Sequence, residues 1–250
     1  MWALIFFSGC QSMTSLRFDK LTNQKEYFLD GATALASSKS KSEITLLASG
    51  DNVPNGERIS LAVNIFNQGS EEFVIDTRNF KISSDHKKPI HIYSYAELVK
   101  EETDRRNLQL VLNAVGGAAN SYTASQAGTS YTSGTFNANT SSSSGTSYLT
   151  NGSYSSQTYD PYKAQAAQAQ VRANTENTAR SIQKEREANL ARLETAILKK
   201  TTIFPGMAHS GIIVFDAPPI KNDEFRTYKI SVLVGDEKHE FLITQSKSSN

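Results

Sequence analysis

Residues 59–65 read Ile59-Ser60-Leu61-Ala62-Val63-Asn64-Ile65, and this stretch decides the fold class. Four large aliphatic side chains alternate with three small or polar ones, the period of two that gives a strand one buried and one exposed face. Turn residues from Asp51 to Gly56 precede it and Asn67-Gln68-Gly69-Ser70 follow it, so the strand is punctuated on both sides.

Working outward, the same grammar recurs. Ile44-Thr45-Leu46-Leu47 lies before it, and Phe73-Val74-Ile75, Phe80-Lys81-Ile82 and Ile90-His91-Ile92 come after it. It stops at Ser94 and resumes at residue 201, with strand candidates at 201–204, 212–215, 228–234 and 241–244. Gly235-Asp236 predicts the hairpin turn between the last two. Residues 43–93 and 201–245 together supply about a hundred residues, the size of an immunoglobulin-like sandwich, and neither half alone buries a comparable core. The expected fold is therefore mainly β with an α insertion: an immunoglobulin-like antiparallel β-sandwich split by a long two-helix insertion over 94–200.

The insertion has readable ends. Ser94-Tyr95-Ala96-Glu97 is a capping box that predicts a helix start, and Leu108, Val111, Leu112 and Val115 then form an apolar stripe. Asp160-Pro161 opens a second helix, with Asp160 as N-cap and Pro161 at the first helical position. Small residues sit where the two helices face the linker (Ala114, Gly116 and Gly117 on one, Ala164, Ala166 and Ala167 on the other), which predicts an antiparallel hairpin closely packed at its tip, the alternative being helices that fold back to cover a sheet face.

Between the helices, residues 120–159 are a Ser/Thr/Gly/Tyr-rich linker, and no Asp, Glu, Lys or Arg occurs between Arg106 and Asp160. Two readings stay open. One is a disordered, solvated connection, because so few large apolar side chains do not offset the entropy of ordering the backbone. In the other, tyrosines such as Tyr122, Tyr131, Tyr148, Tyr154 and Tyr159 order the segment against a partner or a membrane surface.

At the start of the chain, residues 1–9 are a short apolar run ending in Phe7-Ser8-Gly9-Cys10, which resembles the lipobox of bacterial lipoproteins. The resemblance implies a signal peptide over 1–10, lipidation at Cys10, and, since Gln11-Ser12 follow, the outer membrane of the cell envelope, facing the periplasm. The alternative is a buried apolar N-terminus with an incidental free thiol. Cys10 is the single cysteine of the 250 residues, so no intramolecular disulfide forms. Residues 11–42 are polar and Ser/Lys-rich and read as a tether with at most a short element.

A second resemblance rests on Phe204-Pro205-Gly206, Gly211-Ile212-Ile213-Val214-Phe215, Tyr228-Lys229-Ile230-Ser231-Val232 and Phe241. These look like the C-terminal half of small exported immunoglobulin-like domains of unknown function. Together with the Ala-rich helical insertion the chain is similar to uncharacterised lipoproteins of Gram-negative bacteria. What this implies is fold and location, and no activity.

Charge and chemistry narrow the function. Twenty-six basic and twenty-five acidic residues leave a net charge of +1, which gives no argument for nucleic acid. The S-x-x-K pattern recurs by chance, as at Ser38 to Lys41 and Ser181 to Lys184, without companion motifs. His86, His91, His209 and His239 are scattered without the close spacing of a zinc site. No catalytic, cofactor-binding or metal-ligating residue is assigned, no cofactor is expected, and the chain does not read as an enzyme. Two readings remain. One is a structural or protein-interaction module, held to the membrane through a lipid anchor at Cys10 and bound to another envelope protein. The other is a subunit of an oligomeric outer-membrane pore or secretion complex, in which several copies contribute the uncharged linker to a β-barrel.

Overall fold

The structure, a computed structural model, describes residues 12–29, 32–48, 52–85, 88–141, 147–221 and 224–248. Cys10, the apolar run before it and His86 lie outside the described residues. The chain divides into two units, one of residues 1–100 and 190–250, the other of residues 101–189.

In chain order the elements are β1 (Met13–Asp19), β2 (Gln24–Leu29), β3 (Ala32–Ser38), β4 (Ser42–Ala48), β5 (Asn52–Pro54), β6 (Ile59–Asn67), β7 (Phe73–Ile75), β8 (Phe80–Ser84), β9 (Pro89–Ile90) and β10 (Ile92–Tyr93). Next come α1 (Tyr95–Gln126), β11 (Thr129–Ser141), β12 (Ser147–Tyr159) and α2 (Pro161–Ala196). The chain closes with β13 (Thr201–Ile203), β14 (Ala208–Phe215), β15 (Phe225–Val234) and β16 (Glu237–Lys247). The protein is thus mainly β, with two helices and several antiparallel sheets.

The first unit holds two six-stranded sheets, ordered β5-β1-β16-β15-β8-β9 and β10-β14-β6-β4-β3-β2, and the small pair β13-β7. The alternation that opened the sequence reading is physical: Ile59, Leu61, Val63 and Ile65 of β6 are buried and the residues between them are half-buried. Central placement explains this, since β6 pairs with β4 (Ile65 opposite Ile44) on one side and with β14 (Ile213 opposite Leu61) on the other. One core cluster draws on both large sheets, and Phe215 of β14 meets Tyr228 of β15 edge to face at 5.5 Å between ring centres. Each such side chain, fully buried, contributes about 1.5–3 kcal/mol. The β15–β16 turn is at Gly235-Asp236, where Gly235 takes φ +57°.

The structure departs from the sequence reading over residues 11–42, which carry three strands and not a tether. β1 pairs with β16 from Thr14 to Asp19, and Leu16, Leu35, Ala34 and Ala36 are buried. Short side chains hid them: β3 is Ala, Ser and Thr around one leucine, and its ladder bonds to β2 and β4 supply what its hydrophobicity does not.

Both helix starts form as the sequence predicts. The Glu97 amide donates to Ser94 Oγ at 3.3 Å while the Ser94 amide donates to Glu97 Oε2 at 2.7 Å. The Tyr162 amide donates to Asp160 Oδ1 at 3.0 Å. Beyond its last turn, α2 returns the chain across β14, where the Leu198 amide donates to the Ile212 carbonyl at 2.9 Å. That crossing needs Gly211, because a Cβ there would lie 2.8 Å from Leu198 Cα.

Candidate functional site

In the second unit α1 and α2 run antiparallel, and the apolar stripe is not the surface between them. Their contacts are polar: Arg105 reaches Glu185 at 3.1 Å, Arg106 donates to Gln183 at 3.1 Å, and Asn113 donates to the Thr175 carbonyl at 3.0 Å. Glu102, beside Arg105 and accepting from Asn189, is held below the usual carboxylate range. Close approach of the backbones occurs at Gly117, where a Cβ would lie 2.8 Å from Thr175 Oγ1, and not at Ala114, which is exposed. Leu108, Val111, Leu112 and Val115 are 59–62% exposed. The stripe therefore faces away from the partner helix, because the polar face makes the intramolecular contact.

The Ser/Thr/Gly/Tyr-rich stretch is also ordered differently from a solvated connection. Its first residues extend α1 to Gln126, and thereafter β11 and β12 form their own two-stranded antiparallel sheet. Thirteen consecutive pairs run from Thr129 opposite Tyr159 to Ser141 opposite Ser147. Its base is closed by Gly128 and Asp160: the Asp160 amide donates to the Gly128 carbonyl at 2.8 Å, and Ala124 and Ala164 are buried beside it. The backbones meet so closely there that a Cβ on Gly128 would lie 2.2 Å from the Asp160 carbonyl oxygen.

Register sorts this uncharged sequence into two unlike faces, since antiparallel partners point the same way and neighbours along a strand point opposite ways. On one face lie Asn137 paired with Asn151, Thr135 with Ser153, Ser133 with Ser155, Tyr131 with Gln157, and Thr129 with Tyr159. On the other lie Ala138, Phe136 paired with Gly152, Gly134 with Tyr154, Thr132 with Ser156, and Ser130 with Thr158. The Tyr154 ring covers Gly134 and the Phe136 ring covers Gly152, each shielding a strand glycine. Both faces are open, with Tyr131 78%, Tyr154 53% and Phe136 49% exposed. Among the described residues each strand has one partner, so each has one unpaired edge. At about 3.3 Å per residue, thirteen residues span roughly 43 Å, which at a tilt near 45° rises about 30 Å, the thickness of a bilayer core.

The first unit contains two polar constellations. A groove of about 800 Å³ is lined by Arg78, Lys81, Ser83, His91, Ser94 and Glu97. His91 lies 3.1 Å from Glu97, but that carboxylate is already engaged by the Ser94 hydroxyl and amide, which hold it below its ordinary range, so this pair caps α1. His239, fully buried, sits between Ser37 Oγ at 3.0 Å and Ser42 Oγ at 2.9 Å. The Ser42 hydroxyl donates to Glu237 at 2.6 Å, so its oxygen accepts from His239 Nε2 and His239 Nδ1 accepts from Ser37. Burial pushes the imidazole down to about 4 and keeps it neutral. Burial also pushes the Glu237 carboxyl up, but hydrogen bonds from Ser42, Ser40 and the Lys41 amide outweigh it and hold the group below its ordinary range. This cluster ties the β3–β4 turn to the β15–β16 turn, with Ser37, Ser42 and His239 buried and Ser40 and Lys41 at its exposed rim.

Of the other residues singled out from sequence, His209 approaches Thr201 Oγ1 at 3.4 Å, Lys41 pairs with Asp236 at 2.8 Å, and Ser181 and Lys184 lie along α2. Among the described residues no group of three or more His, Cys, Asp or Glu side chains is placed to hold a metal ion, and no helix is long and apolar enough to cross a membrane. Comparison with protein-family models, with curated proteins and with solved structures finds no match to this chain.

Proposed function

We propose that this protein is a subunit of an oligomeric outer-membrane pore, in which each copy contributes the hairpin β11–β12 to a shared β-barrel. The observation that carries the reading is the hairpin: thirteen pairs long, uncharged throughout, with Asn137, Asn151 and Gln157 on one face and Phe136 and Tyr154 on the other, and, among the described residues, unpaired along both edges. A charge at the bilayer midplane costs about 2–4 kcal/mol, which favours a sequence free of charge from residue 107 to residue 159. In water the same edges are a liability that proteins blunt with lysine or proline, and this hairpin has neither.

Free edges also argue for several copies. In hydrocarbon each unsatisfied backbone group costs several kcal/mol, so a two-stranded hairpin enters a bilayer only when its edges pair with other strands and the ring closes. Neighbouring copies supply those strands. The unpartnered stripe of Leu108, Val111, Leu112 and Val115 offers the matching apolar contact between helices of adjacent copies.

The remaining assignments follow the same proposal. Cys10 is lipidated and anchors the chain to the outer membrane, with its bulk on the periplasmic side. The first unit, whose two large sheets share one core, is read as an immunoglobulin-like sandwich that carries the insertion. The test is release of an entrapped dye from liposomes by the full chain, compared with a variant in which residues 129–159 are replaced by a short Gly/Ser turn. Release that depends on the hairpin is expected, and equal behaviour of the two proteins overturns the reading.

A further inference from the structure

We infer that the hairpin face bearing Asn137, Asn151 and Gln157 lines a water-filled channel, and that this channel passes small hydrated ions and polar solutes without selecting by charge. The inference rests on the pore reading above and adds which face meets water and what crosses.

Solvation decides the orientation. An amide taken into hydrocarbon without a partner costs roughly 2–7 kcal/mol, whereas a phenylalanine gains on the same transfer. All three amide side chains among the hairpin residues with described faces lie on one side, and Phe136 and Ala138 lie on the other. Turning the hairpin round would put Asn137 and Asn151, paired with each other, into lipid and Phe136 into water. The hydroxyl-bearing pairs Thr135–Ser153 and Ser133–Ser155 continue the amide side towards the base, where Thr132–Ser156 and Ser130–Thr158 make the opposite side polar too, so it is the amides against Phe136 and Ala138 that set the orientation.

Selectivity follows from composition. Pores select ions by rings of charged side chains or by ordered carbonyl cages, and neither a carboxylate nor a cation occurs in the hairpin. Closure of the ring repeats the same amides and hydroxyls from every copy, giving a neutral hydrogen-bonding wall.

The test is the potassium-to-chloride permeability ratio of the full chain in planar bilayers. A ratio within about twofold of unity is expected for the parent. Asn137→Asp, which places one carboxylate per copy in the lumen, should favour potassium by at least about tenfold, and Asn137→Lys should favour chloride by a similar factor. Ala138→Asp, one residue along and on the opposite face, should abolish insertion and with it the current. A strongly selective parent overturns the inference. So does an Ala138→Asp channel that conducts and shifts selectivity as Asn137→Asp was expected to, or an Asn137→Asp and Asn137→Lys pair that conduct with unchanged ratios. A parent that never conducts overturns the pore reading itself, a result distinguishable from the other three.

Discussion

Gly134 lies opposite Tyr154 in the hairpin register, and the tyrosine ring covers it so closely that a Cβ on Gly134 would stand 2.6 Å from Tyr154 Cε1. The mirror arrangement, Phe136 over Gly152 with 2.5 Å to an added Cβ, lies two residues away on the same face. Aromatic rings laid across strand glycines shield backbone that glycine, a poor strand former, leaves bare.

Gly134→Val should therefore lift the Tyr154 ring off the strand and loosen the hairpin. Amide hydrogen exchange across β11 and β12 should accelerate by about an order of magnitude, while the buried amides of β6 stay protected, since their core is built from other residues. Unchanged exchange in the hairpin would contradict the role given to the ring.

Leu108→Glu with Leu112→Glu should prevent assembly. Both side chains lie on the exposed stripe of α1, so the change costs the monomer little, but it puts like charges at the contact proposed between copies. Sedimentation in detergent is expected to show monomers where the parent gives larger species, with helix content unchanged. An assembly that persists at its original size argues against the stripe as a subunit contact.

Stability should fall with acid through the buried histidine. The folded His239 titrates at about 4 against an ordinary value near 6.5, so the neutral form is the one the fold favours. Its contribution is complete above pH 6.5, declines as pH falls towards 4, and at most amounts to about 3 kcal/mol. Glu237, held low, loses its contribution in the same direction as pH drops through its folded value. Urea unfolding between pH 7 and 4 should show this slope, and His239→Gln should flatten it above pH 5.

Gly211→Ala should destabilise the first unit by about 1–3 kcal/mol, because the added methyl meets the Leu198 backbone, which has no rotamer to move. A thermal midpoint equal to the parent's would show that the α2 exit is free to shift.

Much of the first unit was legible in sequence because its signals are local. Ile59 to Ile65 alternates over a single stretch, Ser94 with Glu97 caps a helix within four residues, and Gly235-Asp236 marks its own turn. Strands β1 to β3 were not legible, since alanines and serines between two ladders need no hydrophobic signature of their own. The hairpin was hidden for another reason: neither strand alternates clearly by itself, and the amides separate from Phe136 and Tyr154 only when Phe136 is set beside Gly152 and Asn137 beside Asn151. The α1 stripe is legible as an apolar face, but what meets α2 is not, because a polar face makes that contact. His239 gave no spacing signal, its partners Ser37 and Ser42 being some two hundred residues away in the chain.

The central claim, that β11 crosses a bilayer with one wet face, is tested most directly by a fluorophore carried on single cysteines placed at residues 132, 133, 135, 136, 137 and 138 of the liposome-bound protein. Water-soluble iodide should quench positions 133, 135 and 137, and lipid-borne spin labels should quench positions 132, 136 and 138, a period of two along one strand. Iodide quenching at all six positions would place the whole hairpin in water and contradict the account.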